Sequence, residues 1–291
     1  MSDFRKYTRR NLSKVGLSLI FENISITTFL IVLNVLIFLV VWILKLSFIP
    51  NLFDYVALKP ADFVVGNKLW TIFTSMFMHA NLAHLFFNMF SLFFIGNFVE
   101  KIIGRKRFFI FYLISGLFAG GLFAIFSGYF GMIPFWNKIF GDPFISGVGA
   151  SGAIFGLLGL LALLTPKAKV YLIVGPLIAL IFEVLINQLN ISTNLSGILS
   201  LVINIYFIIS ILAIFSFKSK WTKLALPLQI PFWSIPLIAI LPLIIVGFFV
   251  DLPIGNIAHF GGFVSGFVYG IYLRKKYPNK IKLLSKHIIT S

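Results

Sequence analysis

Gly147-Val148-Gly149-Ala150-Ser151-Gly152-Ala153-Ile154-Phe155-Gly156 sets one hydroxyl among glycines and alanines at the head of a long apolar run. Ser151 admits two readings. As a helix N-cap, its oxygen would take up a backbone N–H left over at the helix start. As a nucleophile, it would use the flanking glycines for close approach, and the N–H groups of the helix start would face a developing negative charge. The stretch alone does not separate the two; the polar residues in the rest of the chain do.

Those residues are few. Of 291 residues, 59% are hydrophobic and 11% charged, against roughly a quarter charged in a soluble domain. The chain is therefore read as a polytopic, all-α membrane protein. Its net charge of +16 comes as short basic clusters between apolar runs, which is a mark of topology and gives no reason to expect nucleic acid as a partner. With no cysteine there is no disulfide framework and no thiolate nucleophile. The basic start (Arg5, Lys6, Arg9, Arg10, Lys14) leads into a run too long for a signal-peptide core, so no cleaved leader is expected.

Apolar runs long enough for a span of about 20 helical residues fall near 26–47, 82–100, 108–127, 146–164, 170–189, 195–217, 231–250 and 254–273. Eight spans with the N-terminus inside put 1–25, 101–107, 165–169, 218–230 and 274–291 in the cytoplasm. These segments hold all but four of the 24 Lys and Arg; only Lys45, Lys59, Lys68 and Lys138 face the other side. That bias predicts both termini inside. The expected organisation is a cytoplasmic segment 1–25, a membrane domain 26–273 and a basic cytoplasmic tail 274–291. Within the membrane domain, a helical hairpin over about 170–217 looks like an insertion. It carries Glu183, and the similar stretches around Ala168-Lys169-Val170 and Thr222-Lys223-Leu224 flank it. The outer connections 48–81 and 128–145 are long and aromatic, as functional loops at the headgroup level tend to be.

Three of the four histidines, His79, His84 and His259, lie at outer ends of predicted spans, where ionisable groups are costly and point to function. With Asn81 as N-cap, His84 lies about 4–5 Å and Asn88 about 10 Å inward; Ser151 and His259 each lie about 7–8 Å in. They share one shallow layer. His84 and Asn88, spaced i,i+4, project from one helix face, whereas a continued helix would turn His79 away, toward a structural role. No Cys or carboxylate stands near enough to complete a metal site with the histidines. The fourth histidine, His287, belongs to the solvated tail. In the last span Gly262, Gly266 and Gly270 recur every fourth residue, facing a stripe of Gly152, Gly156 and Gly159 in the fourth. Such stripes let helices touch closely enough for a hydrogen bond between Ser151 and His259.

Taken together, Gly149-Ala150-Ser151-Gly152, His79-x4-His84-x3-Asn88 and Ala258-His259-x2-Gly262-x3-Gly266 resemble the rhomboid intramembrane serine proteases over about 26–165 and 231–273. The resemblance implies a six-helix core, to which the hairpin is added, and a dyad of Ser151 as nucleophile and His259 as general base. It also implies an oxyanion site formed by Asn88 and His84 with the Ser151 backbone N–H, with Gly149 in support. Trp70-Thr71 replaces the family's frequent Trp-Arg, Phe155 takes the place of an aromatic thought to stack on the histidine, and Glu100-x3-Gly104 is retained, where a structural role is expected. The implied activity is endoproteolysis of transmembrane substrates at the outer face of the cell membrane, without a cofactor. Two rivals stand beside it: a catalytically silent rhomboid-like chaperone or adaptor, and a transporter or channel using His79, His84 and Glu183. The oligomeric state is left open.

Overall fold

The computed structural model describes residues 24–47, 49, 51–175, 178–179, 182, 186, 192–215, 223–249 and 255–290. Glu183, nearly all of the N-terminal segment 1–25 and most of 174–191 lie outside the described residues. The described chain is mostly helical: α1 Ile26–Ser47, α2 Leu82–Ile103, α3 Arg105–Phe130, α4 Ser151–Leu164, α5 Thr193–Phe215, α6 Ile235–Phe249, α7 Asn256–Lys276 and α8 Pro278–Thr290. By length and composition, Ile26–Leu44, Leu82–Ile103 and Arg105–Phe130 are able to cross a membrane. Ser151–Leu164, Asn194–Ser210 and Phe232–Leu241 are shorter apolar helices.

Two compact units divide the chain, one of 1–166 with 233–286 and one of 167–232 with 287–291. In the first, α4 is the hub. All of its residues except Ser151, Phe155 and Leu163 are buried, as expected of a helix apolar all round. It packs on α3 and α7 through small residues. A side chain at Gly262 would run into the Gly152 carbonyl, one at Gly266 into the Gly156 carbonyl, and one at Gly156 into Ser115. The Ser115 and Ser265 hydroxyls pair at 2.7 Å, and Ser265 donates to the Gly262 carbonyl, so the polar groups in this seam satisfy one another.

At the other end of this unit, Glu100 near the end of α2 binds the start of α1. Its carboxylate accepts from the Ile26 N–H (2.8 Å), the Thr27 N–H (2.8 Å) and the Thr27 hydroxyl (2.7 Å), with Arg105 at 3.9 Å. An acid on the orphan N–H groups of a helix start is favourable both as hydrogen bonds and against the helix dipole. Gly104, at φ +83°, makes the turn that lets α3 begin at once. A π-turn over Leu92–Gly96 interrupts α2.

The structure differs from the sequence reading in two places. The connection between α1 and α2 contains the short helices Leu52–Val56, Pro60–Val64 and Thr71–Thr74, and the one between α3 and α4 holds Pro134–Phe140. Proline at the first position starts two of them, where its missing N–H costs nothing. The second difference falls in the other unit. Lys169–Ile173 (β1) pairs antiparallel with Pro227–Pro231 (β2), Lys169 opposite Pro231 and Ile173 opposite Pro227. Residues 170–173, expected to begin a span, are therefore strand. Of the two similar stretches, Lys169 and Val170 lie in β1, and Lys223–Ala225 forms a single helical turn just before β2. Val170, Tyr171 and Ile173 favour strand, and the prolines at both ends of β2 limit it.

Candidate active site

Ser151 is the first residue of α4, and Ala150 holds the cap position without a side-chain hydrogen bond. The Ser151 hydroxyl makes its contact elsewhere: its Oγ lies 2.9 Å from His259 Nε2, across the glycine seam between α4 and α7. Phe155, one turn further along α4, lies flat on the imidazole, with centroids 4.3 Å apart and planes 16° apart. Nδ1 of His259 is buried and has no hydrogen-bond partner. For Nε2 to accept the serine proton, Nδ1 must carry a hydrogen. Among the described residues no carboxylate holds that hydrogen, and the ring is oriented by stacking and by the packing of α7.

His84 and Asn88 are set by the start of α2. Asn81 accepts from the His84 N–H at 2.8 Å, a side-chain cap that fixes where the helix begins. Both side chains face Gly149, two residues before Ser151. A Cβ at Gly149 would lie 2.9 Å from His84 Cε1 and Nε2 and 3.8 Å from Asn88 Nδ2. Gly149 adopts φ +128°, which also favours glycine there. Its own N–H donates to the Ser75 carbonyl at 2.9 Å. Gly149 thus supplies close approach, while its donor is committed to holding the loop. Asn88 Nδ2 uses one hydrogen on the His84 carbonyl at 2.9 Å, and the amide keeps a second.

The loop before Ser151 is tied to the connection between α1 and α2. Leu58 and Gly147 exchange both backbone hydrogen bonds, at 3.1 and 2.8 Å, and the Ala61 N–H donates to the Pro143 carbonyl. Trp70 donates to the Tyr55 carbonyl at 2.9 Å and Thr71 to the Lys68 carbonyl at 2.7 Å, so this pair serves the inside of the loop.

His79 lies closer to this group than helical spacing indicates, because α2 begins only at Leu82. Its ring stands edge-on to His84 at 5.2 Å, and both its nitrogens are buried without partners. Burial, reinforced by His84, pushes its pKa down from 6.5 to about 3, so it stays neutral. Asn256, three residues before His259 on α7, escaped the sequence reading. It is 8% exposed, and its Oδ1 also lacks a partner. Its spacing from His259, which places both on one side of α7, was the available signal.

Ser151, His259, His84, Asn88 and Gly149 therefore share one end of the first unit, joined by glycine-mediated contacts. The Rhomboid domain model matches residues 66–208 and again 170–276. The chain belongs to the rhomboid family, whose members are integral membrane proteins. RHOMBOID-like protein 1 of Arabidopsis thaliana is 30% identical over 214 residues, 74% of this chain and 37% of that protein. Rhomboid protease GluP of Bacillus subtilis is 32% identical over 103 residues, 35% of this chain and 17% of GluP. Inactive RHOMBOID-like protein 8 of Arabidopsis thaliana is 36% identical over 104 residues, 36% of this chain and 25% of that protein. The chain spans at most 37% of the length of these relatives, and the family holds both proteases and inactive members.

Proposed function

We propose that the protein is an intramembrane serine endopeptidase that hydrolyses a peptide bond in or near transmembrane segments of other membrane proteins. The observation that carries this reading is the 2.9 Å contact between Ser151 Oγ and His259 Nε2. A serine hydroxyl becomes a useful nucleophile when an adjacent base takes its proton. His259 accepts that proton as Ser151 Oγ attacks the scissile carbonyl carbon. The carbonyl oxygen gains the negative charge, next to the free N–H of the Asn88 amide, the His84 ring and the first N–H groups of α4. Collapse of this intermediate breaks the C–N bond, and His259 returns the proton to the leaving amine. Water, deprotonated by the same imidazole, then releases the acyl group from Ser151. While the ring is cationic, the face of Phe155 lies against it and offsets part of the missing counter-charge.

Helix length supports a site below the membrane surface. The fourteen residues of α4 extend only about 21 Å, short of a hydrocarbon layer of about 30 Å. If one end of α4 reaches the cytoplasmic boundary, Ser151 sits beneath the outer one, roofed by the outer connections. A substrate helix would have to unwind there, which small or helix-breaking residues ease. The same reading has eight spans, six in a core and two in the insertion that runs from β1 to β2. Both termini are cytoplasmic, and the site is toward the outer face of the cell membrane. The two overlapping domain matches and the separate unit 167–232 support an insertion.

A catalytically silent adaptor is the second reading, favoured by the similarity to a relative named inactive. Reconstitution with a model transmembrane substrate separates the two. Cleavage by the native chain, lost by at least about 10³-fold in both Ser151→Ala and His259→Ala, supports the protease. No cleavage by the native chain on any of a panel of substrates with unstable helices supports the adaptor, and cleavage that survives both replacements contradicts the dyad.

A further inference from the structure

At the end of the first unit away from the dyad, the described chain collects positive charge around one aromatic ring. Tyr277 joins α7 to α8. Arg107, from the first turn of α3, lies 5.3 Å from the Tyr277 centroid and donates to its hydroxyl at 3.2 Å. Lys276 and Lys280 lie 5.8 and 5.7 Å from the same centroid. Three cations thus converge on one ring. Neither α3 nor the whole stretch 255–291 contains an acid. Glu100, the last acid before α3 in sequence, is engaged with the start of α1. Lys276 also donates to the Tyr272 hydroxyl at 2.7 Å. The π faces attract the cations, but the cations repel one another, and two neutral phenols do not neutralise them. Such a cluster is complete when an anion sits among its members.

The register of α8 indicates where that anion comes from. Pro278 opens the helix directly after α7, and with α7 a span, as in the reading proposed above, α8 starts at headgroup level. Ile281 and Leu284 fall at i and i+3 on one side of α8, both partly buried, and Lys280, at i−4 from Leu284, borders them. An apolar stripe bordered by lysines is the pattern of a helix lying in the membrane interface. Basic pockets where helices end at a leaflet surface take acidic lipid headgroups.

We propose that Arg107, Lys276 and Lys280 around Tyr277 form a binding site for the phosphate of an anionic phospholipid, with α8 resting on the leaflet beside it. This rests on α3 and α7 being membrane spans and is independent of whether Ser151 is catalytic. The test is native mass spectrometry of the full chain released from nanodiscs containing equal phosphatidylglycerol and phosphatidylcholine. The native chain should retain phosphatidylglycerol preferentially. Arg107→Gln, Lys276→Gln and Lys280→Gln together should remove that preference, by about fivefold for each cation lost. Replacing Lys101, Lys106 and Lys275 by Gln, the same change in net charge with cations that are not around the ring, should leave most of it. Lys280→Gln alone, on the exposed helix, gives the single step if the triple variant does not fold. Equal retention in the native chain and the first triple variant overturns the site. Equal loss in both triple variants reduces it to bulk charge and overturns it as well. Displacement of the lipid by millimolar inorganic phosphate would show a site for free phosphate instead.

Discussion

The two ends of the first unit treat buried polar groups in opposite ways. At one end Glu100 is 7% exposed, and its oxygens accept three hydrogen bonds and face an arginine. At the other, among the described residues, His259 Nδ1, both nitrogens of His79 and Asn256 Oδ1 are buried without partners, four of the six such atoms, the other two being Asn34 Oδ1 on α1 and Tyr112 Oη on α3. A buried polar group left unpaired costs about 1–3 kcal/mol, so the second end carries a burden that Glu100 avoids. Satisfied networks hold structures together, whereas unsatisfied groups gathered beside a serine and its histidine neighbour remain free to meet something else. The contrast separates a device for stability from a site for chemistry.

The severest way to break it is to force apart the seam that both ends share. Gly266→Val would drive a branched side chain into the Gly156 carbonyl. Thermal unfolding in detergent should show a large loss of stability, and substrate cleavage should vanish with it. Next, Asn88→Ala should act on the site alone, lowering kcat by about 10²–10³-fold with the melting temperature nearly unchanged, if this amide meets the oxyanion. Conversely, Glu100→Gln should act on the scaffold alone. It should lower unfolding free energy by about 2–4 kcal/mol, since the amide keeps one acceptor and sets an NH2 against the donors of α1, while kcat per folded molecule holds.

The smallest effect is tied to pH. His79 is held neutral in the folded chain, with its pKa near 3, whereas the unfolded chain takes up a proton near 6.5. In that window the unfolded state binds more protons. The contribution of His79 is therefore whole above 6.5 and declines as pH falls toward 3. His79→Phe should flatten the fall in melting temperature over that range, and an unchanged slope would mean that another group drives it.

Much of this was legible in the sequence because it depends on local spacing. The glycines every fourth residue in α7 and the small residues flanking Ser151 predicted a close helix pair, and a close pair is what brings the two side chains within 2.9 Å. The position of Asn81 marked the start of α2 for a similar reason. What escaped depends on partners distant in the chain. Glu100 was expected to be structural, yet its partner Thr27 lies 73 residues away, with nothing local to reveal it. β1 looked like the head of an apolar span because its partner is β2, beyond the whole insertion. His79 was turned away by assuming a helix that had not yet begun, and its placement beside His84 follows from the turn before Leu82.

The central claim is that the Ser151 hydroxyl is made nucleophilic by the imidazole of His259. Its most direct test is labelling of the membrane-reconstituted protein with a fluorophosphonate, followed by mass spectrometry of the modified peptide. The account predicts one adduct, on Ser151, absent in Ser151→Ala and lost or greatly slowed in His259→Ala. An adduct on another residue, or equal labelling of Ser151 with and without His259, would contradict it.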